Sequence, residues 1–179
     1  MLFKTFILSL SLLSITSFAQ ESQEQQAKQV ISGFAKDLKH VLMSTMQSDG
    51  PVAAISVCNV SAPNIAQQHS QSPWQISRSS LRVRNPDNTP EPWLEKIMQE
   101  FANRHEQGEA IASIETSVTH EDSWFFVKAI PTAKPCLACH GSNLQPDVER
   151  KLAELYPNDQ ATGFAQGDIR GVFVVKENR

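Results

Sequence analysis

Ile111-Ala-Ser-Ile-Glu-Thr-Ser-Val118 and Ser123-Trp-Phe-Phe-Val-Lys-Ala-Ile130, turned at His120-Glu121-Asp122, are the stretch on which the fold is decided. Both runs are rich in β-branched and aromatic residues and flank a short polar turn, the pattern of a β-hairpin. A hairpin alone is marginal in water and needs further strands or a helix against its apolar face. Downstream, Gly171 to Lys176 reads as a last strand. Upstream, Trp74, Ile76, Leu81 and Val83 alternate with polar residues and predict one or two strands before the turn-rich Asn85-Pro86-Asp87-Asn88. A cysteine-bearing loop starts at Pro131, and a short helix is expected from Asp147 to Tyr156. Ahead of the strands, Ala27, Val30, Ile31, Phe34, Leu38, Val41, Leu42 and Thr45 fall at helical spacing, which predicts a long amphipathic helix over 21–47 ended by Asp49-Gly50-Pro51. Val52 to Gln68 reads as a helix bent or restarted at Pro63, which has no N–H to donate. Thr89-Pro90-Glu91 starts another helix, with Leu94, Ile97, Met98 and Phe101 as its stripe up to Gly108. Helices first, then a mostly antiparallel sheet interrupted by one functional loop, is an α+β layout.

The chain has 179 residues, 40% hydrophobic and 20% charged, with a net charge of −3, and shows no repeat or low-complexity linker. These values suit one folded domain. They provide no basic field for nucleic acid. Residues 1–19 hold one lysine, a short apolar core and small residues at Ser17 and Ala19, the pattern of a secretory signal peptide cleaved after Ala19. The apolar run is too short for a stable span of roughly 20 residues, although an uncleaved anchor is the alternative. The expected mature protein is a single domain, 20–179, working in the periplasm.

The cysteine count is odd: Cys58, Cys136 and Cys139. A closed disulfide framework is thereby excluded. Cys136-Leu137-Ala138-Cys139-His140 is C-x-x-C-H, the attachment motif for c-type haem. Two thiols three residues apart reach the two vinyl groups of one haem, and the adjacent His140 is then held under the iron as axial ligand. A thioredoxin-like pair would open a helix after a strand in a βαβ pattern, and a zinc site would need a second ligand pair at metal spacing. Neither context is written here, so one covalently bound haem c is expected.

For the other side of the iron the residues alone offer Cys58, His40, His69, His105, His120, Met43, Met46 and Met98. His40 and Met43 point away from the apolar stripe of their helix. His105 sits at a helix C-terminus, where the dipole explains it, and Met98 reads as core. Cys58 is flanked by Ala54 and Ala62, with Ile55 and Ile65 on the same helical face, so a flat macrocycle could approach it. Burial as an inert thiol is the competing reading.

Ile55-Ser-Val-Cys58, Ala62-Pro-Asn-Ile-Ala66, the run from Trp74 to Asn88 with Arg78, Arg82, Arg84 and Asn85, Trp93-Leu-Glu95, Cys136-to-Gly141 and Gly163-to-Gly171 together resemble a bacterial family of c-type-haem domains. Its members have a PAS-like fold and occur alone or ahead of histidine kinases and chemoreceptors. The resemblance covers almost the whole mature chain. It implies iron held by the motif histidine and an upstream cysteine, here His140 and Cys58, and a sensory or electron-transfer role.

Thiolate ligation favours ferric iron, so a low-potential haem is expected, with Cys58 released on reduction to open a site for carbon monoxide or nitric oxide. Arg78, Arg82 and Arg84 are expected on one strand face, where guanidinium forks at Arg78 and Arg84 suit the haem propionates; Arg170 is a weaker candidate. The expected function is a periplasmic redox or small-ligand sensor that speaks to a separate membrane partner. An electron carrier docking on a redox partner protein is the alternative, and a haem enzyme such as a peroxidase ranks last.

Overall fold

The computed structural model describes residues 14–178, with side chains described from residue 23. The expected leader therefore falls largely outside the described residues. Six α-helices and four strands are described: α1 (Ser14–Ser48), α2 (Gly50–Ser56), α3 (Ala62–His69), β1 (Trp74–Ser79), α4 (Pro92–Glu106), β2 (Glu115–His120), β3 (Ser123–Pro131), α5 (Leu137–His140), α6 (Pro146–Leu155) and β4 (Ile169–Glu177). Among these residues no helix is long and apolar enough to cross a membrane.

The sheet is antiparallel throughout, in the order β1-β4-β3-β2. The hairpin closes on a two-residue loop in which Glu121 and Asp122 take φ of 46° and 62°. Positive φ at both central residues is the type I′ geometry that matches strand twist. Strand β2 begins only at Glu115, because Ile111–Ser113 forms a 3₁₀ turn that sends Ile111 and Ile114 into the core.

One expectation is corrected at β1. The strand stops at Ser79, and Leu81 is 43% exposed. Beyond Ser79 the Ser80 hydroxyl donates to Arg170 O (2.8 Å), while Ser80 N–H donates to Asn88 O (3.1 Å), turning the chain away from the sheet. Here β4 presents Gly171, where any Cβ would collide with Ser79 O. Leu81 and Val83 thus alternate within a loop, and Arg82 and Arg84 share no strand face with Arg78.

Alternation along the strands builds two apolar layers. Trp74, Ile76, Trp124, Phe126 and Val175 pack on Ala27, Ile31 and Phe34 of α1 and Ile65 of α3. On the other face Val127, Ala129, Val172 and Val174 meet Leu94, Met98 and Phe101 of α4. A third cluster joins Ile55 of α2 to Val148 and Leu152 of α6 and to Tyr156. That small cluster seats the segment after the cysteine motif against α2. The whole is the expected α+β class, consistent with a PAS-like arrangement; the cysteine motif ahead of the last strand, expected in a loop, lies on a 3₁₀ turn (Lys134–Cys136) and the short helix α5.

Between α2 and α3, Val57–Ser61 is a π-helical turn, marked by Ala62 N–H donating to Val57 O five residues back. Pro63 supplies the cause. Its nitrogen cannot donate to Asn59 O, and its ring would clash with that carbonyl in a regular α-turn. The widened turn relieves both, and it carries Cys58.

Candidate cofactor cleft

One cleft is lined by Cys58, Cys136, Cys139 and His140 together with Arg78, Arg84, Arg170, Tyr156 and Met46. Residues more than 100 positions apart in sequence meet there because α6 packs on α2 and the end of β1 lies beside β4. Leu38, Leu42 and Met46 furnish the α1 wall, and Ala54 and Ile55 furnish the α2 wall. The extra residue of the π-turn divides the face predicted for Cys58. Ala54 and Ile55 look into the cleft, whereas Ala62 lines a small adjoining pocket that Cys58 also borders, and Ile65 enters the sheet core. Pores of this kind, apolar walls with a few converging polar groups, are ligand sites by default.

The motif is held by the loop that follows α6. Phe164 N–H donates to His140 O (2.9 Å) and Gly163 N–H to Gly141 O (3.0 Å). His140 Nδ1 lies 2.7 Å from Ala161 O. A carbonyl can only accept, so Nδ1 carries the proton and Nε2 is left with its lone pair. Burial, then the charges of Arg170 and Arg84, push the His140 pKa down to about 3 against the pull of the Ala161 bond. The ring is neutral at physiological pH, the form that ligates a metal. Burial raises the Cys139 thiol above its ordinary range, against the opposing charge of Arg84.

The arginines divide into two kinds. Arg84 is 9% exposed and fully engaged: Nε donates to Asp159 Oδ2 (2.9 Å) and Nη2 to Cys139 O (2.6 Å). It braces the motif backbone against the loop. Arg82 lies over the Phe164 ring at 4.1 Å and donates to Gln160 O, away from the cleft. Arg78 and Arg170 also line the cleft, yet among the described residues neither has a carboxylate within ion-pair distance. Burial lowers the pKa of both; the charge of Arg170 lowers that of Arg78 further, while the cysteine sulfurs of Cys136 and Cys58 oppose the shift at Arg170 more than Arg84 adds to it. Two desolvated cations beside one another are costly unless an anion joins them. The cleft is thus built to receive negative charge at that wall.

Other candidates lie elsewhere. His40 is exposed, His69 bonds to Asp37 (2.8 Å), His120 stacks on Trp93, and His105 lies near Glu109 O in a different groove. Met98 is core. Among the described residues no three His, Cys, Asp or Glu side chains form the ligand set of a bare metal ion. Sequence reading undervalued Arg170 and left Met46 unargued. The signal for Met46 was its spacing, i+4 and i+8 from Leu42 and Leu38 on the apolar stripe.

Among solved structures, the fold matches the crystal structure of a cyanobacterial haem protein, Tll0287, with a TM-score of 0.62 and 22% identity over 90% of this chain and 95% of that one. No curated protein matches the sequence. The profile of the family described as Tll0287-like matches residues 12–177, spanning every element of the cleft, and the chain belongs to that family.

Proposed function

We propose that this chain is an exported protein with one covalently attached haem c, acting as a redox or small-ligand sensor in the periplasm and not as an enzyme. The observation that carries the reading is the convergence of Cys58, Cys136, Cys139 and His140 on a cleft whose Arg78 and Arg170 lack an acidic partner among the described residues. The donor set fits. Cys136 and Cys139 would form the two thioethers, and His140 Nε2 and Cys58 Sγ would hold the iron. Arg78 and Arg170 would pair with the two propionates, while Arg84 is already committed to Asp159. Membership of a family whose solved relative is a haem protein supports the same cofactor.

When bound, haem supplies a one-electron iron couple and an axial position open to exchange. The residues do the rest. Ala161 fixes the tautomer of His140 through its carbonyl. Arg84 and Asp159 keep the motif backbone in register with the loop. Leu42, Ala54 and Ile55 supply apolar walls to the cleft. Cys58, on an irregular turn, is the ligand whose backbone is easiest to rearrange, and π-turns recur at functional sites for this reason. That placement favours a sensor over a plain electron carrier, which gains nothing from a movable ligand.

The test is the intact mass and the alkaline pyridine spectrum of the exported protein. The expected result is one haem per chain that stays with the polypeptide on denaturation, and its loss from the chain in Cys136→Ala/Cys139→Ala. Haem that separates from the wild-type chain on denaturation, or no haem at all, overturns the reading.

A further inference from the structure

Cys58 is not the one sulfur side chain in the cleft that is free of the C-x-x-C-H motif. Met46 lines it too, from a different element. Leu38, Leu42 and Met46 recur at i, i+4 and i+8, so they form a single row along α1 facing the cleft. The contrast in support is sharp: Met46 stands in an uninterrupted helix of 35 residues, while Cys58 stands in the five-residue π-turn Val57–Ser61. The two sulfurs also differ in chemistry. Thiolate favours ferric iron, whereas a neutral thioether raises the potential and so favours ferrous iron. Thioether sulfur is a soft ligand suited to the reduced state.

Resting on the haem reading above, we propose that Met46 is a second, alternative distal ligand that takes the iron in the reduced protein when Cys58 lets go. In the exchange, an external one-electron reductant such as dithionite reduces the iron. The bond to Cys58 Sγ breaks, and that sulfur keeps the bonding pair and takes a proton from solvent. A lone pair of Met46 Sδ forms the new bond. Cys58 moves by relaxation of its turn, while Met46 is carried by a continuous helix that already lines the cleft. Reduction then repositions the α2–α3 junction relative to α1, which gives a sensor something to transmit.

The test uses the holoprotein with selenomethionine in place of methionine and reads iron–selenium scattering by X-ray absorption in both oxidation states. Selenium at bonding distance in the ferrous protein and absent in the ferric protein is expected. Met46→Leu, which keeps the apolar wall, should abolish that signal, leave the ferric absorption spectrum unchanged and convert the ferrous spectrum to a five-coordinate form. It should also lower the midpoint potential by about 59 mV for each tenfold loss of ferrous-state ligation. A ferrous wild-type protein without iron–selenium scattering overturns the proposal, whatever the fate of the variant. If Cys58→Ala still alters the ferric spectrum in that case, the haem reading stands and Met46 is only a wall.

Discussion

Arg170 shows how a residue can be read correctly by type and wrongly by weight. Its position beside Gly171 gave no hint that it would be desolvated in a cleft with Arg78 and no acidic neighbour among the described residues. Arg84 was legible as a cleft residue, but nothing in the spacing reveals that Asp159, 75 positions away, occupies its fork. The partner comes from tertiary structure, which a single sequence does not display. The distinction is testable through opposite effects of one substitution. Arg170→Met keeps the bulk of the side chain and removes an unpaired charge, so the haem-free chain should gain about 1–3 kcal/mol in urea unfolding. The haem-loaded protein should instead lose stability and shift its midpoint potential, because a counter-charge for a propionate is gone. A loss of stability in both forms would show that Arg170 has an anionic partner of its own.

At the level of elements, the strongest patterns were readable and the exceptions have local causes. The hairpin was legible because its β-rich runs meet at a short polar turn, and the loop closes with both central residues at positive φ. Helices α1 and α4 were legible from apolar spacing, and the short helix expected from Asp147 to Tyr156 is α6. The second strand expected at Leu81 and Val83 was not there, since alternation without a free partner edge makes no ladder, and the Ser80 side chain bonds to β4 instead. Pro63 marked a break, but sequence could not say that the break would be a π-turn that sets Cys58 between the cleft and the small pocket lined by Ala62. Pro63→Ala restores an N–H and lets the turn close as a regular α-turn. The variant should fold with stability within about 1 kcal/mol of wild type, since the gain in helix propensity is offset by strain on the packed faces. Its ferric absorption spectrum should move toward that of Cys58→Ala. An unchanged spectrum would show that packing against α1, not the proline, holds the turn open.

On the scale of the whole molecule, α1 is clamped to the sheet by charge as well as by apolar burial. Glu115 on β2 bonds to Lys28 of α1 and Lys128 of β3, both at 2.5 Å. Burial pushes the Glu115 carboxyl up, but the two ammonium groups outweigh it and hold it below the ordinary carboxylate range. A depressed folded pKa means that the contribution is complete above the unfolded carboxylate value and fades as pH falls through the folded one. Because the groups are partly exposed, the contribution is below about 1 kcal/mol. Glu115→Gln should therefore lower the urea midpoint at pH 7 and converge on wild type as pH falls below the ordinary carboxylate range and through the depressed folded value; a constant difference across that fall would assign the effect to packing. The sheet and its clamps make the frame, and the cleft is its exception, with Cys58 on an irregular turn, a motif strapped by one loop and two arginines without an acidic partner among the described residues. The sensor role proposed for it turns on the reach of Cys58 to the same iron as His140. The direct measurement is the ferric absorption and electron paramagnetic resonance spectrum of the exported wild-type protein beside Cys58→Ala. A low-spin thiolate signature in the wild type that disappears in the variant is the predicted result, and identical ferric spectra in the two proteins would contradict it.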